Sequence, residues 1–206
     1  MQTKLIHITN KAEETMAYCA RVSSPNQDKV NIDKLLAYCI KHKHWSIFEM
    51  ASMCIEIKTS RAISAQILRH RSFHFQEFSQ RYSEVVGIET YEARRQDTKN
   101  RQNSIDDMDD DTKQWFIDVQ RALIEVERVA YNNALKRGIA KEQARFLLPM
   151  ATSTKLYMHG TIRDWIHYLN LRTENGTQLE HKEIAESIKN IFIEQLPTVS
   201  LALGWK

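Results

Sequence analysis

The sequence predicts one α+β domain rather than a doubly wound one, on three observations. Apolar residues alternate over three short stretches, residues 4–9, 51–59 and 151–159, which is the period of half-buried strands. Between and after them apolar residues recur at helical spacing, but without the regular strand-helix-strand order of a parallel sheet. Glycine is scarce, five in 206 residues, where usual composition has about 7%. No GxGxxG or GxxxxGK[ST] occurs, so a glycine-loop phosphate cradle of the Rossmann or P-loop kind is excluded. A bound phosphate has to be held by side chains.

Taken in order, KLIHIT (residues 4–9) reads as a strand, and Met16, Ala17 and Ala20 mark a helix over residues 13–22. After the break at Ser23-Ser24-Pro25-Asn26, Ile32, Leu35, Leu36, Cys39 and Ile40 fall at helix spacing, with Asn31 as the expected N-cap. Met53, Ile55 and Ile57 alternate in the second strand, and Ala62 to Leu68 returns to a helical period. Between Ser83 and Asp111 the periodicity is lost, and Tyr91 to Asn103 reads as a polar surface loop and a candidate lid. The longest helix runs through Trp115, Val119, Leu123, Val126 and Ala130 to Arg137-Gly138. Five aspartates between Asp106 and Asp111 precede it, where the helix dipole favours negative charge; a calcium loop would need a central glycine and a terminal glutamate that are missing. Ala140 to Leu148 predicts a short helix stopped by Pro149, residues 151–159 the third strand, and residues 162–171 and 183–192 two amphipathic helices.

Composition narrows the function classes. With 42% hydrophobic and 27% charged residues and a mean hydropathy of −0.51, the chain is a globular one. Its net charge of +3 provides no general nucleic-acid coat. No apolar run reaches the roughly 18 residues of a membrane helix, and the N-terminus lacks a signal pattern, so the expectation is a cytoplasmic protein without membrane or nucleic-acid partners. Cys19, Cys39 and Cys54 are odd in number and never spaced as CxxC, which predicts buried hydrophobes rather than disulfides or a metal centre.

The densest run of functional residue types is Arg69 to Ser83, with three arginines, two histidines, a glutamate and hydroxyls. Arginine forks grip dianions through paired, charge-assisted hydrogen bonds, so this run could replace the absent glycine loop. A solvated, salt-bridged segment with Phe73, Phe75 and Phe78 turned inward accounts for the same composition. His70 and His74, four apart, share a helical face suited to a metal, though no HExxH accompanies them. Arginines among Phe73, Phe75 and Tyr82 would also suit stacking on single-stranded nucleic acid.

Arg69-His70-Arg71, seven residues, then Ser79 resembles the RHR-x7-S signature of flavin-dependent thymidylate synthases, and Arg81-Tyr82-Ser83 extends it. His44-Trp45-Ser46-Ile47-Phe48-Glu49 is similar to the family's HxSPFE segment. Ala144-Arg145-Phe146-Leu147-Leu148-Pro149 resembles its ARxxLP element. Leu169-Asn170-Leu171-Arg172 with Gln178 and Glu180 resembles its NLR…AQxE element. The four blocks stand in family order from His44 to Glu180.

The resemblance implies the thymidylate synthase-complementing protein fold, a single domain over residues 1–206 with helices packed on a mixed sheet, assembled as a homotetramer with sites shared between subunits. It implies conversion of dUMP to dTMP with methylenetetrahydrofolate as carbon donor, FAD as cofactor and NADPH as reductant, with no metal. No cysteine lies in a charged block, so an enzyme thiolate is not expected. C5 of the uracil would instead be made nucleophilic by a cation at the ring carbonyls, by resemblance Arg172. Gln66, Arg69, Glu77, Ser79, Gln80, Arg81 and Arg145 would complete the dUMP site, with the phosphate on Ser79, Arg81 and Arg145, the last from a neighbouring subunit. Ser79 is a positioning hydroxyl rather than a nucleophile. Ser46, Glu49, Arg69, His70, Arg71, Gln76, Glu77, Thr161, Arg163 and His167 fall to the flavin side, and His44 near flavin and folate.

The chain departs from the family pattern at Ile47, Met50, Gln76, Phe78, Gln80, Thr161, His167 and Gly176. Gln80 replaces a glycine, so a positive φ there would strain the loop, whereas an ordinary φ leaves its N–H able to meet phosphate. Two other functions carry the same scaffold or the same run: a flavin-dependent reductase or methyltransferase with an altered substrate, and a nucleic-acid-binding protein using Arg69 to Tyr82.

Overall fold

Six strands and eight helices are seen in a computed structural model that describes residues 2–85 and 87–205. Met1 and Lys206, the limits of the expected domain, and Val86, in the aperiodic stretch, lie outside the described residues. The strands are β1 (Gln2–Ile8), β2 (Ser52–Ser60), β3 (His74–Glu77), β4 (Arg95–Gln96), β5 (Ser104–Ile105) and β6 (Ser153–Thr161). The helices are α1 (Ala12–Ala20), α2 (Asp33–Lys41), α3 (Arg61–Ile67), α4 (Asp110–Lys136), α5 (Lys141–Ala144), α6 (Ile162–Arg172), α7 (Leu179–Gln195) and α8 (Pro197–Ala202). Short 3-10 turns occupy Trp45–Glu49 and Arg145–Leu147.

The main sheet has the order β1-β2-β6-β3. Its centre is the β2–β6 pair, in unbroken register from Ser52 opposite Thr161 to Ser60 opposite Ser153. Burial alternates residue by residue along β6: Leu156 and Met158 are fully buried on the helix side, while Lys155, Tyr157 and His159 stand on the outer face. The expected mixed sheet is antiparallel in all three strand pairs. Two helices rather than one separate β1 from β2, so the chain enters β2 at the end where it left β1, and Ile8 lies opposite Met53.

One core joins the inner face of this sheet to α1, α2, α3, α6, α7 and α8, with Trp165, Tyr168, Phe48 and Phe192 among its fully buried side chains. Trp165 donates from its indole N–H to the carbonyl of Met53 at 3.0 Å, which satisfies a buried donor and fixes α6 on β2. Thr161 ends β6 and caps α6. Its hydroxyl accepts from the Asp164 N–H while the Asp164 carboxylate accepts from the Thr161 N–H, so strand passes to helix with no loop between them.

Several local expectations are corrected. Helix α2 begins after Ile32 rather than after Asn31, with no side-chain cap, and the Asn31 carbonyl accepts from Arg21 instead. The segment 91–103 is tied down rather than free: the β4–β5 hairpin stiffens it, and the Tyr91 backbone exchanges two hydrogen bonds with Gln120 of α4. Strand β3 arises within the charged run, where four residues add an edge to β6. Helix α7 starts at Leu179, earlier than its apolar periodicity indicates, and α8 follows with Pro197 in its first turn.

The acidic entry to α4 follows the dipole reasoning, with Asp109 capping the N–H of Thr112 at 2.8 Å. Its middle is less covered than its length suggests: Trp115, Leu123, Val126 and Val129 are all more than half exposed. No described helix is long and apolar enough to cross a membrane.

Candidate active site

Arg172 closes α6, and its Nε donates to Nε2 of His70 at 2.9 Å. His70 belongs to the segment that leaves α3, so this one bond joins the RHR block to the NLR block. Burial, then the Arg172 cation, then His167 push the His70 imidazole down to about 4. A neutral ring is what lets Nε2 accept. Tyr168 supports it edge-on, ring centres 4.8 Å apart, and Phe73 packs against Trp165 and Tyr168 below. Phe73 reaches that place because position 160 is glycine: a Cβ there would come within 2.6 Å of its ring.

Gln66, on the last full turn of α3, belongs to the same cluster. Its amide nitrogen donates to Gln178, and its amide oxygen lies 3.4 Å from Nδ1 of His181. His181 is fully buried and was not found in the sequence, because a histidine on the inner face of α7 breaks the apolar pattern that marks a core position. Burial, Arg172 and His70 push it down to about 3.

On the opposite side of α6, residues at helical spacing line a cavity of about 470 Å³: Arg163, His167 and Asn170 project into it, with Trp45 and Glu49 from the 3-10 turn and Ser72 across from them. Arg163 is ion-paired with Glu49 at the rim. Thr161 also borders the cavity, though its hydroxyl is engaged by Asp164. Four of the expected flavin residues (Glu49, Thr161, Arg163 and His167) therefore share one space of ordinary small-molecule size. Ser46 and His44 are exposed beside it; His44 leans on Tyr38 and His42, 5.8 and 6.1 Å between ring centres.

The expected phosphate residues gather at a third corner. The Ser79 hydroxyl accepts from the Arg81 N–H at 3.4 Å, and the Arg81 guanidinium pairs with the Glu142 carboxylate at 3.3 Å. Arg145 donates from Nε to the Glu142 carbonyl at 3.2 Å, so one residue of α5 is shared by both arginines. Gln80 is not among the residues of positive φ, which removes the strain its replacement of glycine would have caused, and its amide nitrogen is buried without a partner among the described residues.

Four expected residues point elsewhere. Glu77 is enclosed within the chain, accepting from Ser64 at 2.6 Å, Thr154 at 3.0 Å and Arg61 at 2.6 Å. Gln76 stands exposed on the outer face of β3, and Arg69 and Arg71 lie in solvent beside the helix exit. His70 and His74 do not converge on a metal: His70 turns inward to Arg172 while His74 faces His159 on the outer sheet face, ring centres 6.3 Å apart.

The family described as thymidylate synthase complementing protein matches residues 4–198. The chain belongs to that family. It is 58% identical over 193 residues to the flavin-dependent thymidylate synthase of Synechocystis sp., covering 94% of this chain and 90% of the relative. It is 54% identical over 215 residues to a probable flavin-dependent thymidylate synthase of Paramecium bursaria Chlorella virus 1, covering the whole of both. Among solved structures, the UMP/dUMP methylase PolB from Streptomyces cacaoi bound with 5-Br dUMP superposes with a TM-score of 0.88 at 25% identity, over 98% of this chain and 94% of that one. The same enzyme bound with 5-Br UMP gives 0.86 at 26% identity over 98% and 93%. Within the thymidylate synthase complementing protein fold of this chain, the RHR and NLR blocks therefore meet through Arg172 and His70, and the ARxxLP block stands at the Arg81 corner.

Proposed function

We propose that this protein is a flavin-dependent thymidylate synthase that methylates dUMP to dTMP, taking the carbon from methylenetetrahydrofolate, with FAD as cofactor and NADPH as reductant, in the cytoplasm. Residues 1–206 act as one domain. The observation that carries the reading is the hydrogen bond of Arg172 to His70, with the His181 ring 6.2 Å from that of His70 and Gln66 beside His181: residues of separated sequence blocks stand together, and a fixed cation among them is what a uracil ring needs.

Arg172 acts electrostatically. Its Nε is held by His70, so the terminal Nη1 and Nη2 hydrogens are presented in a fixed plane. Placed at the uracil carbonyls, they stabilise negative charge on the ring and raise the nucleophilicity of C5 without moving a proton. Cysteine chemistry is disfavoured where these residues lie: burial pushes the thiols of Cys39 and Cys54 up, away from the thiolate. Arg81, Ser79 and the Gln80 amide nitrogen offer the phosphate a donor-rich corner, in which a dianion displaces the Glu142 carboxylate from Arg81 and is met by Arg145 of a neighbouring copy.

The cavity beside α6 fits part of a flavin dinucleotide. Arg163 supplies a cation for its pyrophosphate, Trp45 an aromatic wall, and His167 and Asn170 polar edges. Bound there, reduced FAD supplies the hydride equivalent of the reaction. A cavity of about 470 Å³ within one chain leaves the rest of an extended cofactor to be covered by another subunit. The exposed apolar face of α4 and the exposed Phe146, Leu147 and Met150 near Arg145 supply surface for that subunit, in a homotetramer whose sites are shared. In that assembly Arg145 reaches the nucleotide of a neighbouring copy.

PolB is a UMP/dUMP methylase, so UMP is the specific competing substrate. The deciding experiment incubates purified protein with FAD, NADPH and methylenetetrahydrofolate, and measures methylated product from dUMP and from UMP by mass. A yellow flavoprotein forming dTMP is the expected result; a protein that takes up no flavin, or that methylates UMP alone, overturns the reading.

A further inference from the structure

Behind the expected uracil site runs a chain of six side chains whose hydrogen bonds all lead toward Glu180. Arg94 and Glu180 form an ion pair at its foot, their side chains only 14% and 6% exposed. The second oxygen of Glu180 accepts from the Gln178 amide nitrogen at 2.8 Å. The Gln178 amide oxygen then accepts from the Gln66 amide nitrogen at 2.5 Å. Gln66 Oε1 lies 3.4 Å from His181 Nδ1, and the other ring nitrogen of His181 lies 3.0 Å from the Tyr168 hydroxyl.

The direction of this chain is dictated by its charged end. A carboxylate paired with arginine only accepts, so Gln178 must turn its nitrogen toward Glu180 and its oxygen toward Gln66. Gln66 must then turn its nitrogen toward Gln178 and its oxygen toward His181. An amide oxygen needs a donor, which puts the imidazole proton on Nδ1 and leaves Nε2 bare to accept from the Tyr168 hydroxyl. Reversing any amide would set two acceptors face to face next to the buried Glu180, at the cost of a lost hydrogen bond and an unpaired polar atom.

We propose that Glu180, anchored by Arg94, and the buried His181 are positioning residues that lock the Gln66 amide in one orientation, and that this lock sets the preference for a uracil over a cytosine ring. The proposal rests on Gln66 belonging to the dUMP site, as the function above has it. Uracil presents N3–H beside O4, a donor next to an acceptor, whereas cytosine presents N3 beside N4–H₂, the reverse order. An amide free to flip pairs with either; an amide held by its neighbours pairs with one and leaves the other with opposed dipoles.

The test uses flavin-loaded full-length protein, its Glu180→Gln variant and its His181→Phe variant. Glutamine at 180 can donate as well as accept, so the chain loses its direction while the packing is kept. Calorimetric titration with dUMP and with dCMP should show the dUMP preference falling about tenfold in Glu180→Gln, the equivalent of one hydrogen bond lost from discrimination. Nitrogen-15 spectra of histidine-labelled protein should show His181 as a single Nδ1–H tautomer in the wild type and as a mixture in Glu180→Gln. If His181→Phe fails to fold, Glu180→Gln decides alone. An unchanged dUMP preference in that variant, or a wild-type His181 protonated on Nε2, overturns the proposal. Wild-type protein that binds no dUMP would instead overturn the assigned substrate, while the tautomer measurement still decides the direction of the chain.

Discussion

Arg172 and His70 meet nitrogen to nitrogen, guanidinium Nε donating to imidazole Nε2 at 2.9 Å, though 102 positions separate them in sequence. Each fixes the other. The imidazole is kept neutral by burial and by the adjacent cation, and the cation is aimed by the only lone pair the neutral ring offers.

Replacing Arg172 by alanine should abolish methyl transfer, a loss of at least about a hundredfold for a lost charge-stabilising donor, without unfolding the chain. It should also release part of the depression of His70, whose titration midpoint should rise from about 4 while staying below the ordinary value, because burial is the larger cause. Proton NMR of the histidine rings against pH reads the shift. Turnover near the wild-type level, or an unmoved His70 midpoint, would contradict the role.

Stability should fall in mild acid. His70 and His181 titrate at about 4 and about 3 in the folded protein and near the ordinary 6.5 when unfolded, so the unfolded chain binds more protons throughout the interval. Their neutral-state contribution is complete above pH 6.5 and is lost as pH drops toward 4, at ~1.4 kcal/mol per pH unit for each ring fully engaged. Urea unfolding at pH 7 and pH 5 checks it; equal midpoints at the two values would refute the assignment.

Arg81→Lys and Arg145→Lys should each weaken dUMP by about tenfold or more while leaving flavin affinity unchanged, since an ammonium cannot make the paired contact of a guanidinium on phosphate. Calorimetry with dUMP and fluorescence titration with FAD separate the two ligands. A parallel loss of both would assign these arginines to the flavin instead.

Val126→Glu on α4, where the side chain is 68% exposed in the single chain, should reduce the sedimentation coefficient from that of a tetramer and lower activity with it. An exposed position that tolerated the charge with no change in mass would show that α4 is not where copies meet.

How far the sequence reaches depends on what each residue does for its own element. Strands β2 and β6 alternate because one face is buried, β1 because Leu5 and Ile8 pack against the same core, and α6 repeats Ile162, Trp165, Ile166 and Leu169 for the same reason, so periodicity finds them. Strand β3 escapes because His74-Phe75-Gln76-Glu77 is short, and its polar residues serve the outer face and a buried carboxylate cluster rather than a repeating pattern. The start of α7 is hidden by Glu180 and His181, polar residues that are buried because each has a partner on another element or on a neighbouring turn. Motif resemblance singles out Arg172, Gln66 and Ser79 as expected site residues but not what surrounds them. The enclosure of Glu77 by Arg61, Ser64 and Thr154 depends on three elements meeting, and no local signal in the chain announces it.

The unbroken register between β2 and β6 binds Ser52 to Thr161 and leaves β3 with β6 as its neighbour in the sheet. During synthesis the RHR segment leaves the ribosome long before the strand that will hold its edge. Assembly must wait for distant loops to close, which is the slow route for a sheet of this connectivity. A nascent chain stopped short of Ser153 would lack the strand that joins β2 to β3 and the helices α6, α7 and α8 of the core, and would be a client for chaperones.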